Sequence, residues 1–206
     1  MRSVLLLGAT GLIGRQVLPL LLEDPSVERV IALVRRPTGV VHPKLTEQPF
    51  EINRSHNVDQ IVCALGTTIK AAGSEEAFRL VDHDYPILAA RLHRDWARQY
   101  ILVSSMGADP KSRFFYNRVK GETERDLIEL GYPSTVIARP SLLLGSRDEF
   151  RFGERIAQQF GWLMPRSMKP IDAGLVARAI AALAREQRPG VRIVEANELR
   201  ALAGQQ

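Results

Sequence analysis

Short apolar runs alternate with segments of helical periodicity along most of the chain. The first run, Val4–Leu7, carries no charge, and residues 12, 13, 16, 17, 20 and 21 then recur at helical spacing as far as Glu23. An uncharged run is typical of a strand that is buried on both faces, and the recurring positions indicate an amphipathic helix. The chain therefore begins with a predicted strand followed by a helix.

The same alternation continues to the end of the sequence. Further strands are predicted at residues 29–34, 45–50, 59–65, 100–103, 134–139 and 191–194, and helices at residues 84–99, 115–130 and 173–185. Ser74 is a candidate N-cap, Pro86 falls in a first helical turn, and Gly131 ends the second of these helices. Strands that alternate with helices predict an α/β fold with a doubly wound parallel sheet, the Rossmann fold, as one domain over residues 1–206.

Residues 140–172 interrupt this alternation and are rich in Gly, Pro, Phe and Arg. Ligands of open α/β sheets bind beyond the carboxyl ends of the strands. We therefore interpret this small, irregular C-terminal segment as a cover on the substrate side. The composition fits a surface excursion without a special role equally well.

Three glycines, Gly8, Gly11 and Gly14, lie between the first strand and the first helix. Glycine allows a sharp turn and a close approach to a pyrophosphate, and the free N–H groups at the start of the helix face the anion. The spacing is G-x-x-G-x-x-G, whereas the general dinucleotide fingerprint is G-x-G-x-x-G. We interpret the turn as a nucleotide-binding loop; the alternative is a glycine-rich turn that only opens a helix.

Two arginines, Arg35 and Arg36, directly follow the second predicted strand, and no acidic residue lies between Ile31 and Val41. In a dinucleotide fold this position lies near the adenosine ribose. An acidic residue there binds the 2′-hydroxyl of NAD, and arginine accommodates the 2′-phosphate of NADP. The pair predicts NADP (NADPH) as the cofactor; a solvated turn is the alternative.

Tyr116 and Lys120 lie four residues apart in a helical stretch, so both side chains share one face of the helix. An ammonium beside a phenol favours the phenolate, which suits the tyrosine to proton transfer. Ser104 and Ser105 follow the strand at residues 100–103, where a hydroxyl can bind a substrate oxygen or satisfy local backbone groups.

The order of these groups, a glycine turn followed by Ser105 and then Tyr116-x-x-x-Lys120, resembles the short-chain dehydrogenase/reductase superfamily. The glycine spacing is that of its extended and atypical branches. Further blocks are similar to the atypical branch that contains the Tat-interacting oxidoreductase-like proteins. These blocks are Leu65–Thr68, Val81–Tyr85, Val103–Asp109, Val119–Glu122 and Arg139–Gly145. They extend along most of the chain and are more specific than the glycines alone.

The resemblance implies a role for each matching position. Tyr116 would donate the proton, and Lys120 would bind the nicotinamide ribose and tune Tyr116. Ser105 would orient the substrate, with Ser104 as the second choice because two adjacent serines leave the register open. The residues implied to hold the pyrophosphate are Gly8, Thr10, Gly11, Leu12, Ile13 and Gly14. Those implied to hold the 2′-phosphate are Arg35 and Arg36, and those beside the nicotinamide half are Leu65, Gly66, Thr67 and Pro140.

Composition narrows the class of protein. Lys and Arg number 28 and Asp and Glu 23 among 206 residues, a net charge of +5, and these charges are scattered. Nucleic acid is therefore not an expected partner, and neither is a membrane, because no apolar stretch reaches the length of a span. The single cysteine, Cys63, and the spacing of the four histidines predict no metal site. Glycines interrupt any signal-peptide core, so a cytoplasmic location is expected.

The sequence thus predicts an NADPH-dependent oxidoreductase that reduces a carbonyl, or oxidises the alcohol, of a small-molecule substrate. Two alternatives stay open. One is an NADPH-binding regulator that senses the cofactor without turnover and passes its state to a protein partner. The other is a sugar-nucleotide epimerase-like enzyme, for which the chain is short. A monomer and a homodimer are both compatible with the sequence.

Overall fold

The computed structural model describes residues 1–144 and 169–204, and its main feature is a seven-stranded parallel sheet. The strands are β1 (Arg2–Leu7), β2 (Val27–Val34), β3 (Leu45–Pro49), β4 (Gln60–Cys63), β5 (Gln99–Val103), β6 (Ser134–Arg139), β7 (Leu143–Leu144), β8 (Ile171–Asp172) and β9 (Gly190–Glu195). Their order in the large sheet is β3-β2-β1-β4-β5-β6-β9, and β7 and β8 form a separate ladder. The chain reverses its direction of progress between β1 and β4, which confirms the predicted Rossmann fold.

Helices cover both faces of this sheet. They are α1 (Gly14–Glu23), α2 (Ile69–Ala72), α3 (Glu75–Arg79), α4 (Tyr85–His93), α5 (Phe115–Glu129), α6 (Ala173–Glu186) and α7 (Ala196–Ala203). A π-helical turn, Leu80–Asp84, joins α3 directly to α4. Within the two described ranges, no helix is long and apolar enough to cross a membrane.

The uncharged sequence of β1 reflects burial on both faces of the sheet. Val4 and Leu6 belong to a core formed with α1 and α6, whereas Leu5 and Leu7 belong to a second core formed with α4 and α5. Successive side chains of a strand point to opposite faces, so a central strand needs apolar residues at every position. This burial fixes β1 as the central strand from which the glycine turn emerges.

Two elements end at least two residues earlier than predicted. The helix predicted to reach residue 99 ends at His93, where the Arg94 guanidinium binds the carbonyl oxygens of Leu130 and Gly131, each at 2.6 Å. The strand predicted to reach residue 65 ends at Cys63. The next residue, Ala64, donates its N–H to Leu7 at 2.9 Å and then leaves the sheet beneath the glycine turn.

The helix α7 was not anticipated from the sequence. Its N-cap residue, Glu195, makes no side-chain hydrogen bond to the helix, so the usual sequence signal for a helix start is missing. Burial stabilises it instead, because Leu199 is fully buried in the same core as α1 and α6. Tertiary packing therefore decides this element.

Candidate active site

The glycine turn brings the backbone of three segments into close contact. Gly8 has a φ of +82°, and a Cβ there would lie 2.4 Å from the Ala64 carbonyl oxygen. A Cβ on Gly14 would lie 2.0 Å from the carbonyl oxygen of Gly8. Only glycine satisfies these contacts, since Cβ atoms do not approach oxygen so closely and L side chains disfavour a positive φ.

The first turn of α1 is free to bind an anion. Ile13, at the N-cap, makes no side-chain capping bond, and the first turn has no acidic residue. Within the described part of the chain, the backbone N–H groups of Leu12, Ile13 and Gly14 donate no hydrogen bond. Free N–H groups at the positive end of a helix are the donor set that a pyrophosphate requires, so these residues fit a dinucleotide.

Arg35 and Arg36 are exposed at the carboxyl end of β2, beside the glycine turn that follows β1. Neither guanidinium forms an ion pair or a side-chain hydrogen bond with another described residue. The loop beyond them is anchored because Glu47 accepts the Thr38 N–H at 2.9 Å. Two cations that form no ion pair within the described ranges therefore lie at the position expected for the adenosine ribose.

The segment after β4 meets a buried ion pair. The Lys120 ammonium lies 2.7 Å from Asp82 Oδ1, and both side chains are almost fully buried. The other carboxylate oxygen of Asp82 accepts the Thr67 N–H at 2.9 Å. Gly66, directly before Thr67, lies beside this lysine, because a Cβ there would be 3.9 Å from Lys120 Nζ.

Lys120 keeps its charge in this buried position. Burial opposes the charged form, but the Asp82 carboxylate, with a smaller contribution from Tyr116, raises the pKa of Lys120 above its ordinary value. The Tyr116 ring is half-buried and packs on Phe78, with 5.3 Å between the ring centroids. The Tyr116 hydroxyl has no hydrogen-bond partner among residues 1–144 and 169–204. The structure therefore brings together the predicted tyrosine and lysine.

The two adjacent serines have different surroundings. Ser104 donates its hydroxyl to the buried carboxylate of Glu124, which also binds the Arg139 guanidinium, with 3.0 Å between Nε and Oε1. The Ser105 hydroxyl is buried and has no hydrogen-bond partner in the described ranges. Ser104 is thus engaged in a structural network, and Ser105 has the available hydroxyl.

The loop after β5 is held against α5. Asp109 donates its N–H to the Asn117 carbonyl at 3.0 Å, and a Cβ on Gly121 would lie 2.2 Å from the backbone of Asp109. Met106, directly after Ser105, donates its N–H to the Pro140 carbonyl at 2.9 Å. These contacts place the Ser105 loop between Pro140 and the helix that carries Tyr116.

All predicted site residues therefore lie at one edge of the sheet. Parallel strands present their carboxyl ends together, so the segments after β1, β2, β4, β5 and β6 meet there. Of the interpreted substrate cover at residues 140–172, residues 145–168 lie outside the described residues. Asp82 was missed by sequence reasoning; the only signal was the Val81–Tyr85 block, to which no role was given.

The structure describes no group of three or more His, Cys, Asp and Glu side chains that could hold a metal ion in its two ranges. The lone cysteine, Cys63, is fully buried in β4, and this burial raises the pKa of its thiol. A buried neutral thiol in a strand behaves as a small core residue.

Solved structures show the class of fold. MoeE5, described as a complex with UDP-glucose and NAD, has a TM-score of 0.72 and 16% sequence identity, over 98% of this chain and 81% of that chain. A short chain dehydrogenase family protein from Francisella tularensis has a TM-score of 0.69 and 14% identity, over 96% of this chain and 98% of that one. The chain thus has the Rossmann fold of short-chain dehydrogenase/reductase proteins.

Curated relatives then show the family, although no family model matches the chain. The mitochondrial protein fmp52 of Emericella nidulans is 37% identical over 174 residues, covering 78% of this chain and 75% of the relative. The mitochondrial protein FMP52 of Eremothecium gossypii is 36% identical over 220 residues, covering 99% of this chain and 98% of the relative. The chain belongs to the Fmp52 family.

The names of these relatives contradict the expected cytoplasmic location, because each is called a mitochondrial protein. Glycines that interrupt the core of a secretory signal peptide indicate only that the chain is not secreted. They do not distinguish the cytoplasm from an organelle, so the expectation was wrong.

Proposed function

We propose that the protein is an NADPH-dependent oxidoreductase that reduces a carbonyl, or oxidises the corresponding alcohol, of a small substrate. One observation carries the proposal: Lys120 is buried with its charge paired to Asp82, and the hydroxyls of Tyr116 and Ser105 bond to no other described residue, at the same carboxyl edge of the sheet as the glycine turn. Several structural neighbours were solved as complexes with NAD, which supports a nicotinamide dinucleotide here. The sequence blocks similar to the atypical branch support the same assignment.

Some of these residues would bind the cofactor, and others would transfer the proton. Arg35 and Arg36 would bind the 2′-phosphate, and Lys120 the ribose of the nicotinamide half. The pyrophosphate would lie against Gly8, Thr10, Gly11, Leu12, Ile13 and Gly14, and the nicotinamide half against Leu65, Gly66, Thr67 and Pro140. NADPH, when bound, supplies the hydride. Tyr116 would transfer its phenolic proton to the substrate oxygen, to which Ser105 would donate a hydrogen bond.

The choice of cofactor is tested by Arg35→Ala. We expect the Kd for NADPH to rise about 10- to 100-fold, because a hydrogen bond to a charged group contributes roughly 1.5–3 kcal/mol. The Kd for NADH should change little, since NADH has no 2′-phosphate. Isothermal titration calorimetry with both cofactors measures the two constants.

Arg98→Ala is the matched control, because Arg98 is an exposed arginine at the opposite, amino-terminal edge of the sheet. It should leave both constants unchanged. Equal affinity of the wild-type protein for NADPH and NADH would contradict the assignment of NADP.

Turnover is tested by Tyr116→Phe. We expect kcat for NADPH oxidation with a panel of small aldehydes and ketones to fall about 10²- to 10⁴-fold, the contribution typical of a general acid. NADPH binding should be retained. The control is Tyr132→Phe, which removes the same atom from a tyrosine bonded to the Ala90 carbonyl at 2.6 Å, away from the site.

Three results separate the proposal from the alternatives. Loss of turnover in Tyr116→Phe alone supports the oxidoreductase. Tight NADPH binding without oxidation by any substrate points to a sensor. Interconversion of sugar nucleotides without net use of the cofactor points to an epimerase-like enzyme.

A further inference from the structure

The π-helical turn Leu80–Asp84 carries a carboxylate that serves the candidate site. We propose that Asp82 is a positioning residue: its buried carboxylate holds the Lys120 ammonium and the Thr67 backbone in one arrangement, prepared for the ribose of the nicotinamide half. This inference rests on the proposed function, since it assigns Asp82 to the dinucleotide site.

The wider turn explains how Asp82 reaches the site. Tyr85 donates its N–H to Leu80, five residues earlier, and single π turns within α-helices are frequent at functional sites. The Asp82 carbonyl accepts the Thr123 hydroxyl of α5 at 3.0 Å. The backbone of the turn is thereby satisfied from α5, and the Asp82 side chain, with no exposed surface, points to Lys120 and Thr67.

The two oxygens of this carboxylate join three segments of the chain. Oδ1 lies 2.7 Å from the Lys120 ammonium on α5, and Oδ2 accepts the Thr67 N–H after β4 at 2.9 Å. Gly66 lies beside this pair, since a Cβ there would be in ordinary van der Waals contact with both groups, 3.6 Å from Asp82 Oδ1 and 3.9 Å from Lys120 Nζ. Asp82 thus sets the distance between the lysine and the segment proposed to contact the nicotinamide half.

Charge is the property that this arrangement requires. Burial without a counter-charge lowers the pKa of a lysine, so the lysine loses its proton at a lower pH. Within the described ranges, Asp82 is the only carboxylate paired with Lys120; the other titratable groups acting on the ammonium are Tyr116 and the neutral thiol of Cys63. An ammonium has three N–H donors, so pairing with Asp82 leaves donors for ribose hydroxyls.

The fold does not depend on Asp82 to anchor the turn. The next residue, His83, binds Asp84 at 2.7 Å through Nδ1 and Asp126 of α5 at 2.9 Å through Nε2. Arg79, just before the turn, pairs with Glu122 of α5 at 2.5 Å. These contacts attach the turn to α5 on its outer side, and they leave Asp82 to act on Lys120.

The test compares wild-type protein, Asp82→Asn and the matched control Asp84→Asn, which makes the same change on a half-exposed carboxylate of the same turn. The Kd for NADPH is measured by fluorescence titration from about pH 6.5 to about pH 10, below the ordinary lysine pKa of about 10.4. In Asp82→Asn the amide can still accept the Thr67 N–H, but the charge is removed.

We expect Asp82→Asn to bind NADPH at least about tenfold more weakly near pH 9, where its lysine has lost the proton, with a smaller difference near pH 6.5. Asp84→Asn should follow the wild type. An unchanged Kd, a loss that is the same at every pH, or an equal loss in Asp84→Asn would each overturn the inference.

Two further measurements distinguish failure of the inference from failure of the proposed function and from unfolding of the variant. Absence of NADPH and NADH binding by the wild-type protein would overturn the proposed function itself. If circular dichroism shows that Asp82→Asn is unfolded, nuclear magnetic resonance of the Lys120 ammonium in the wild-type protein decides: a pKa above about 10.4 supports the pairing, and one below it overturns the inference.

Discussion

At the scale of single residues, Ser104 and Ser105 have the same side chain in different surroundings. Ser104 binds the buried Glu124 carboxylate, and Ser105 has a buried hydroxyl without a partner among the described residues. A buried hydroxyl without a partner costs free energy, so a site of this kind is retained where a ligand completes it. We therefore expect Ser104 to contribute to stability and Ser105 to the proposed activity.

Substitution of each serine by alanine should show this separation. Ser105→Ala should lower kcat about 100-fold, the loss typical of one oxyanion donor, and leave the unfolding free energy nearly unchanged. Ser104→Ala should lower the unfolding free energy by about 1–3 kcal/mol, because Glu124 loses a buried hydrogen bond. Urea denaturation and NADPH oxidation measure the two effects. A larger activity loss in Ser104→Ala than in Ser105→Ala would reverse the assignment.

At the scale of elements, the segment from α3 to α4 shows how a proline fits within a continuous helix. Pro86 lacks an N–H and normally breaks a helix interior. Here it directly follows Tyr85, whose N–H still bonds five residues back to Leu80. Pro86 lacks its backbone N–H at the point where the spacing of the helical hydrogen bonds changes from five residues to four. The helix therefore continues through the proline. The sequence predicted a helix from residue 84 with Pro86 in its first turn, but it did not reveal the π turn at residues 80–84.

The loop between β5 and α5 illustrates a second limit at this scale. The sequence predicted the end of the strand and the start of the helix correctly to within one residue. It did not predict that Gly121 lets the backbone at Asp109 pack on the helix. This contact brings the Ser105 loop close to the turn of α5 that carries Tyr116. It is possible because Gly121 of α5 has no side chain.

At the scale of the whole molecule, a cluster of ion pairs around Asp24 lies at the edge of the sheet opposite the candidate site. Asp24, after α1, pairs with Arg2 of β1 at 2.9 Å and with Arg185 of α6 at 2.8 Å. Its other oxygen accepts the Ser26 hydroxyl at 2.6 Å. Burial opposes ionisation, but the hydrogen bonds from Ser26 and Arg185 and the charge of Arg2 lower the pKa of Asp24 to about 2.

This cluster should make the stability of the protein sensitive to acid. The unfolded chain takes up the Asp24 proton near pH 4 and the folded protein only near pH 2, so this stabilisation is present above about pH 4 and is lost as the pH falls toward 2. Asp24→Asn should lower the unfolding free energy at pH 7 by about 3 kcal/mol and reduce its slope between about pH 4 and pH 2.

Urea denaturation at a series of pH values measures this slope. Asp95→Asn serves as the control, since Asp95 is exposed and its carboxylate forms no ion pair among residues 1–144 and 169–204. A wild-type acid slope retained in Asp24→Asn would place the acid sensitivity elsewhere in the molecule.

The sequence by itself determined the parallel α/β fold and the edge of the sheet at which the candidate site residues lie. Uncharged apolar runs and helical periodicity are local, and so are the G-x-x-G-x-x-G turn and the four-residue spacing of Tyr116 and Lys120. Information of this kind can be read from neighbouring positions in the chain.

Only the tertiary structure decided how the site is completed. It separated Ser105 from Ser104, ended a helix at His93 and brought Asp82 to Lys120. Each of these outcomes depends on a partner from a different element: Glu124, the Leu130 carbonyl and the helix α5. Burial and hydrogen bonding between such elements follow from packing, and no local spacing records them.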